Sequence, residues 1–187
     1  MERMAFLHRV QAVIVLDSNE SRVFTKYFVG EDTPESSKAL APLEKQRALE
    51  HNIFQAIHDF RNRTHVTYES EILVVDGHVV VFHVGEDVTV IVMGAGNENE
   101  LVLCSVLTGL VDALKQELNV PSLTNRVLLE NYCALLMTVD EMLDEGIILE
   151  TESEAIATSL EPYLIDKSNE TARAAISKVN KYLQDNL

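Results

Sequence analysis

Residues 127–150 read VLLENYCALLMTVDEMLDEGIILE. Up to Leu143 this stretch holds neither glycine nor proline, and its apolar residues fall into two helical rows. One is Leu128, Tyr132, Leu135, Val139 and Met142; the other is Leu129, Cys133, Leu136, Met137 and Leu143. A helix on the surface of a domain needs one apolar stripe. Two rows take up most of the circumference, so the spacing predicts a helix over 127–143 buried on more than one side, stopped by Gly146. Asp140, Glu141, Asp144 and Glu145 crowd its end, where acid opposes the helix dipole by up to about 1 kcal/mol per charge. A solvated helix end accounts for them without chemistry.

Upstream, Leu103, Val106, Leu107, Leu110 and Leu114 give a second apolar helix over 98–118, broken by Pro121-Ser122. Before it the period changes. Residues 72–75, 79–84 and 88–93 are valine-rich runs separated by Asp76-Gly77 and Gly85-Glu86-Asp87. Asp-Gly between apolar runs is a strong hairpin signal, so these runs predict a three-stranded meander. Further back, Leu49, Ile53, Ile57 and Phe60 mark one amphipathic helix over 43–61, opened by Pro42. Residues 30–41, GEDTPESSKALA, show no period and are expected to form an exposed loop. Residues 10–16 and 22–29 flank a polar turn and predict a hairpin. Downstream, Thr151 and Glu154 suggest a capping box for a short helix over 152–160, ended by Pro162. Ala172, Ile176, Val179 and Leu183 mark a last amphipathic helix.

The predicted class is therefore α+β. A five-stranded antiparallel sheet carries helix 43–61 on one side and helices 98–118 and 127–143 on the other, because its strands are apolar on both sides. The expected division is a domain over 1–151 and a C-terminal helical extension over 152–187.

Composition narrows the function. The chain has 187 residues, 47% of them hydrophobic, and a formal net charge of −15. That charge argues against nucleic acid, which needs clustered Lys and Arg, and against direct adhesion to anionic lipid. With no signal peptide, no membrane-length apolar run and only two cysteines, the expectation is a soluble protein of a reducing compartment.

Candidate chemical sites are weak. Gly94-Ala95-Gly96 lacks the third glycine of a dinucleotide fingerprint, since Asn99 stands there. Asp17-Ser18-Asn19-Glu20 resembles a calcium loop, but Arg22 occupies the glycine position. His51 and His58 lie too far apart for a two-ligand metal site. His78 and His83 fall on opposite strand faces. Cys133 has no activating histidine or acid at a helical offset, and the acidic cluster at 140–145 has no partner base. No enzyme activity, cofactor or metal is expected. The surplus is apolar helix surface: either it meets a permanent protein partner, or the two helices cover each other and the C-terminal tail covers the rest.

The segments VIVLDSNESRVFTKYF (13–28), NENELVLCSVLTGLVDAL (97–114) and LLENYCALLMTVDEMLDEGIILET (128–151) resemble the small subunits of vesicle-coat adaptors. Within them the chain is most similar to the zeta family of coatomer, the COPI coat; clathrin-adaptor sigma chains are near relatives. The resemblance covers most of 10–151, with the last block favouring zeta. Residues 30–42 are longer than the family leads one to expect, and the chain after Glu152 matches only loosely. The resemblance implies a longin-type fold and pairing with the trunk of the gamma coatomer subunit. It also implies work in Golgi-to-ER retrieval, with recruitment by an Arf-family GTPase. The implied location is cytoplasmic, peripheral on Golgi membranes and coated vesicles. In sigma chains the region matching 97–103 helps form a pocket for acidic dileucine signals, and Asn99, Glu100 and Leu101 stand in the matching places. A longin subunit of another trafficking complex is the remaining alternative. For partner binding, the expected contact row is Leu128, Leu135, Val139 and Met142, meeting Leu103, Leu107 and Leu110 on the neighbouring helix.

Overall fold

The computed structural model describes residues 8–31, 33–64 and 70–164. Strands β1 (Val10–Asp17) and β2 (Arg22–Tyr27) form the expected hairpin. Its turn is organised by Asp17, whose Oδ1 accepts from the backbone N–H groups of Asn19 and Ser21, each at 2.8 Å. The carboxylate that resembled a calcium ligand is thus engaged by its own loop.

Strands β3 (Glu71–Val75), β4 (His78–Val84) and β5 (Val88–Ala95) make the predicted meander. Asp76 and Gly77, at φ 50° and 80°, form its primed two-residue turn. The whole sheet runs β2-β1-β5-β4-β3, every pair antiparallel. The first hairpin therefore joins the meander through β1 and β5, with Val13 opposite Val92.

Strand alternation sends Ala12, Ile14, Leu16, Val80, Phe82, Ile91 and Met93 to one face. There α2 (Leu43–Thr64) covers them with Leu49, Ile53 and Ile57. The other face presents Val13, Val15, Val79, Val81, Val90 and Val92. It is closed by three helices, α3 (Glu100–Leu118), α5 (Tyr132–Met142) and α6 (Ser153–Leu164). The placement of helices on both faces agrees with the sequence reading. From the region 152–187, α6 adds Ile156, Ala157 and Leu160 to the buried residues. The segment leading into it crosses α3 closely at Gly109, where a Cβ would come within 2.2 Å of the Thr151 carbonyl oxygen.

Local expectations are corrected in five places. Residues 30–41 are not a bare loop: they contain the single-turn helix α1 (Glu35–Lys38) and bury Thr33, Ser37 and Leu40. The helix expected over 127–143 is two helices, α4 (Asn125–Glu130) and α5, parted by Asn131 at φ −120° and ψ 37°. The Asn131 side chain donates to the Val127 carbonyl at 2.9 Å, so an amide competes there with the helical ladder. Leu143 belongs not to the helix but to a small hairpin, β6 (Leu143–Asp144) and β7 (Ile147–Ile148). Its turn is Glu145-Gly146, at φ 47° and 80°. In place of the Thr151 capping box, the Glu150 carboxylate accepts from the N–H groups of Thr151 and Glu152. Finally, α6 runs past Pro162, which sits within its last turn. The expected helix around Ile176 lies outside the described residues.

Candidate partner-docking surface

All seven residues assigned to the partner row lie in the chain's own core. Leu103, Leu107, Leu110, Leu128, Leu135, Val139 and Met142 are each at most 1% exposed. The face is corrected accordingly: of the two apolar rows, the sheet and α3 take the one that was expected to meet a partner. The reason is the side on which α5 meets its neighbours. Ala134 and Thr138 are small, are 4% and 0% exposed, and stand on the same side of α5 as Leu135 and Val139. Thr138 meets α3 there, its Oγ1 donating to Glu117 Oε2 at 2.9 Å. Small residues on that side of α5 are the signal in the sequence that distinguishes the rows.

The face turned to solvent takes Leu129, Cys133 and Leu136 from the second row and Tyr132 from the first, while Leu143 of the second row is buried. Leu129, Tyr132 and Leu136 are 55%, 44% and 42% exposed, and Cys133 between them is an exposed free thiol. Cys133 Sγ lies 3.8 Å from Met137 Sδ. On its inner side Tyr132 rests against Phe24 of β2, ring centroids 6.1 Å apart. At its C-terminal end the row passes into Asp140, which accepts from Lys26 Nζ at 2.5 Å, and Glu141, which accepts from Ser159 Oγ at 2.7 Å. The acidic cluster is thus shared out to separate neighbours, with Asp144 and Glu145 exposed beyond it. The arrangement offers an apolar strip with an acidic border, suited to an apolar partner surface flanked by basic groups.

The other candidate residues fall apart spatially or serve the fold. Asn99 caps α3 by accepting from the Leu101 N–H at 2.9 Å. Glu100 is exposed in the first turn, and Leu101 is 70% exposed. Gly96 lies where a Cβ would press on the Gly77 carbonyl, so it lets two turns pack, and Gly94 makes room for the Leu103 and Glu98 side chains. Glu98, beside it, accepts from His8 Nδ1 and from the Arg9 and Asn99 N–H groups. Burial pushes its pKa up, but these donors outweigh burial and hold it below the usual carboxylate range. His51 bonds Glu20, whereas His58 bonds Asn62. His78 Nδ1 lies 2.7 Å from Gln11 Oε1, and burial lowers its pKa despite the nearby Asp76. A groove of about 480 Å³ between α2 and the β4–β5 turn has Phe54, Ile57, Val84 and Val88 in its lining, with Arg61 and Glu86 among its polar groups. No helix among the described residues is long and apolar enough to cross a membrane.

Residues 9–166 match the family described as clathrin adaptor complex small chain. The chain is 39% identical over 150 residues to human coatomer subunit zeta-1, covering 80% of this chain and 75% of that protein. It belongs to the coatomer zeta family of adaptor small chains. Zeta-1 of rice is 34% identical over 167 residues, 89% of this chain and 87% of its own length. The yeast zeta subunit is 30% identical over 154 residues, 81% and 77%. In fold the chain is similar to a chain in a homology model of the full-length AP-3 complex in a stretched open conformation. That match has a TM-score of 0.58 and 17% identity, covering 90% of this chain and 98% of the other. A zeta-family chain is a small subunit of a vesicle coat, and the longin-like sheet with helices on both faces is the family's architecture.

Proposed function

We propose that this chain is a non-catalytic coatomer subunit that pairs with the trunk of the gamma subunit and serves Golgi-to-ER retrograde and intra-Golgi transport. In this reading it is cytoplasmic and peripheral on Golgi membranes and coated vesicles. It meets membrane only as part of the coat, and an Arf-family GTPase acts on it indirectly. Residues 1–151 form the docking unit, and 152–187 extend it. The observation that carries the reading is the exposed strip Leu129, Tyr132, Cys133 and Leu136 on a zeta-family chain. A protein left alone in water gains nothing from such a strip; a permanent partner would cover it.

The test is binding of the full-length chain to purified gamma trunk. Leu129→Asp and Leu136→Asp are expected to weaken binding at least tenfold with native circular dichroism. Undiminished binding by both variants would place the partner on another face. A second reading is favoured by Leu101, whose exposure beside Glu100 leaves an apolar side chain open to a dileucine-type cargo peptide, as for a sigma chain. Titration with such a peptide separates the two: saturable binding lost in Leu101→Ser supports cargo. Recovery of a different trafficking complex from cytosol would instead point to the remaining longin alternative.

A further inference from the structure

We propose that the groove between α2 and the β4–β5 turn is a docking site for a short segment of a protein partner that carries an aromatic side chain next to a carboxylate. The groove lies on the α2 face of the sheet, whereas the α4–α5 strip lies on the other, so the proposal stands whichever partner covers that strip.

The groove is built before anything enters it. Phe54, Ile57 and Val84 form a floor continuous with the core beneath α2, joined by Val88. One wall is α2. The other is the β4–β5 turn, closed by the Gly85 N–H on the Val88 carbonyl at 2.8 Å. At one end the β1–β2 turn ties the two walls together. Ser18 donates its N–H and its Oγ to the Asp87 carbonyl, each at 3.2 Å, and Glu20 lies 2.8 Å from His51 Nδ1 of α2. His51 precedes Phe54 by about one helical turn, and Arg61 follows it by about two, so Arg61 stands at the opposite, open end. A groove tied shut at one end takes an inserted side chain rather than a chain running through it.

The charge left without a partner at the mouth is positive. Glu86 and Asp87 line the turn side, but both carboxylates are engaged by the segment leading into α4. Glu86 Oε1 accepts from Ser122 Oγ at 3.1 Å, and Asp87 Oδ1 accepts from the Asn125 N–H at 2.8 Å. On the α2 side His58 is bonded to Asn62 and lies 3.8 Å from Asp59. Arg63 turns back to the Asp59 carbonyl. Arg61 lines the groove and makes no hydrogen bond or ion pair among the described residues. One guanidinium matches one carboxylate. A phosphate dianion would bring excess negative charge against Asp59, Glu86 and Asp87, in a chain of net charge −15.

The floor specifies the other half of the ligand. A volume of about 480 Å³ is in the range of sites that enclose a ligand, and the half-buried Phe54 offers its ring for an offset or edge contact with a second ring. His58, Arg61 and Asn62 at the mouth are exposed. A free small molecule would therefore be left partly uncovered, whereas a side chain carried by a larger partner brings its own cover.

The chain contains no tryptophan, so an indole added from outside reports its own burial. The full-length chain is titrated into the peptide Gly-Ser-Trp-Glu-Ser-Gly, capped at both ends so that glutamate is its one carboxylate. A saturable blue shift of the indole emission is expected. Replacing glutamate by glutamine in the peptide, or Arg61→Glu in the protein, should weaken binding about tenfold, with native circular dichroism for the variant. A Trp-Lys peptide should recover binding to Arg61→Glu. No saturable shift overturns the proposal, and so does a shift that Arg61→Glu leaves unchanged. A Leu-Glu peptide should compete only weakly; equal affinity would overturn the aromatic assignment. Leu101→Ser, at the far end of the sheet's other face, should leave the shift intact, and its loss there would move the peptide to the start of α3 and overturn the groove.

Discussion

The two faces of the sheet are closed in different ways. On one, α2 covers the strands with a single stripe, joined by Leu40 from the segment before it, and the border is sealed by polar groups. Arg22 holds the Glu50 carboxylate with two bonds of 2.7 Å, and Tyr27 donates to the same carboxylate at 2.9 Å. Burial, and then the Glu50 charge, push the Tyr27 phenol far above its usual range, so it remains a donor. On the other face three helices share the work, and their buried side chains are almost entirely apolar. A face covered by one helix leaves that helix free to be polar outside. A face covered by three obliges its outermost helix to be apolar toward several neighbours, and that crowding leaves a strip uncovered.

The contrast can be broken at four places. The largest effect is expected from Leu135→Asp, which strands a carboxylate among the three helices and should cost more than about 4 kcal/mol; loss of the native circular dichroism checks it. On the α2 face, Arg22→Met leaves Glu50 buried without its cation and should cost about 3–5 kcal/mol in urea unfolding. The double variant Arg22→Met, Glu50→Met should recover most of that, because an apolar pair of similar volume replaces the ion pair without an orphan. Glu117 tests an acidic intrusion on the three-helix face. Burial raises its pKa above the ordinary 4.5 in spite of the hydrogen bond from Thr138, and its Oε1 is buried without a partner. The native state therefore holds this proton more tightly than the unfolded chain, and ionisation costs stability as pH rises through that window. Glu117→Gln should be more stable than wild type at pH 7, with the gap narrowing as pH falls through the raised native pKa and closed below about 4.3. Smallest is Leu136→Asp, expected to move the stability of the free chain by no more than about 0.5 kcal/mol, in contrast to its neighbour Leu135.

That last pair shows where the sequence stops being legible. The switch from period two to helical spacing, and the Asp76-Gly77 turn, determine the strands and their helices from local chemistry alone. Leu135 and Leu136 are locally equivalent. Which of them faces the sheet depends on where α3 lies, and the clue, the small residues Ala134 and Thr138 with Thr138 bonded to Glu117 of α3, becomes visible only once two helices are considered together. The break at Asn131 was hidden for a similar reason, since asparagine is tolerated in helices and its side-chain bond to Val127 is one option among several. In sequence the Glu145-Gly146 turn reads as a helix stop, because a glycine that ends a helix and one that turns a two-residue hairpin both need positive φ.

Gly146 also bears on the order in which the chain can assemble. The Val10 N–H donates to its carbonyl at 2.8 Å, and a Cβ on Gly146 would strike the Val10 carbonyl and the Phe28 ring. The start of β1 is therefore completed by a residue close to the end of the described chain, and its middle by β5. During synthesis at about 5–20 residues per second, the Val10–Asp17 strand has β2 on one edge and an open edge on the other for several seconds. Closure over so long a stretch of chain is entropically slow. The nascent hairpin, with Val13, Ile14 and Val15 at that edge, is the point at which this protein is most vulnerable to pairing with another chain before its own fold is complete.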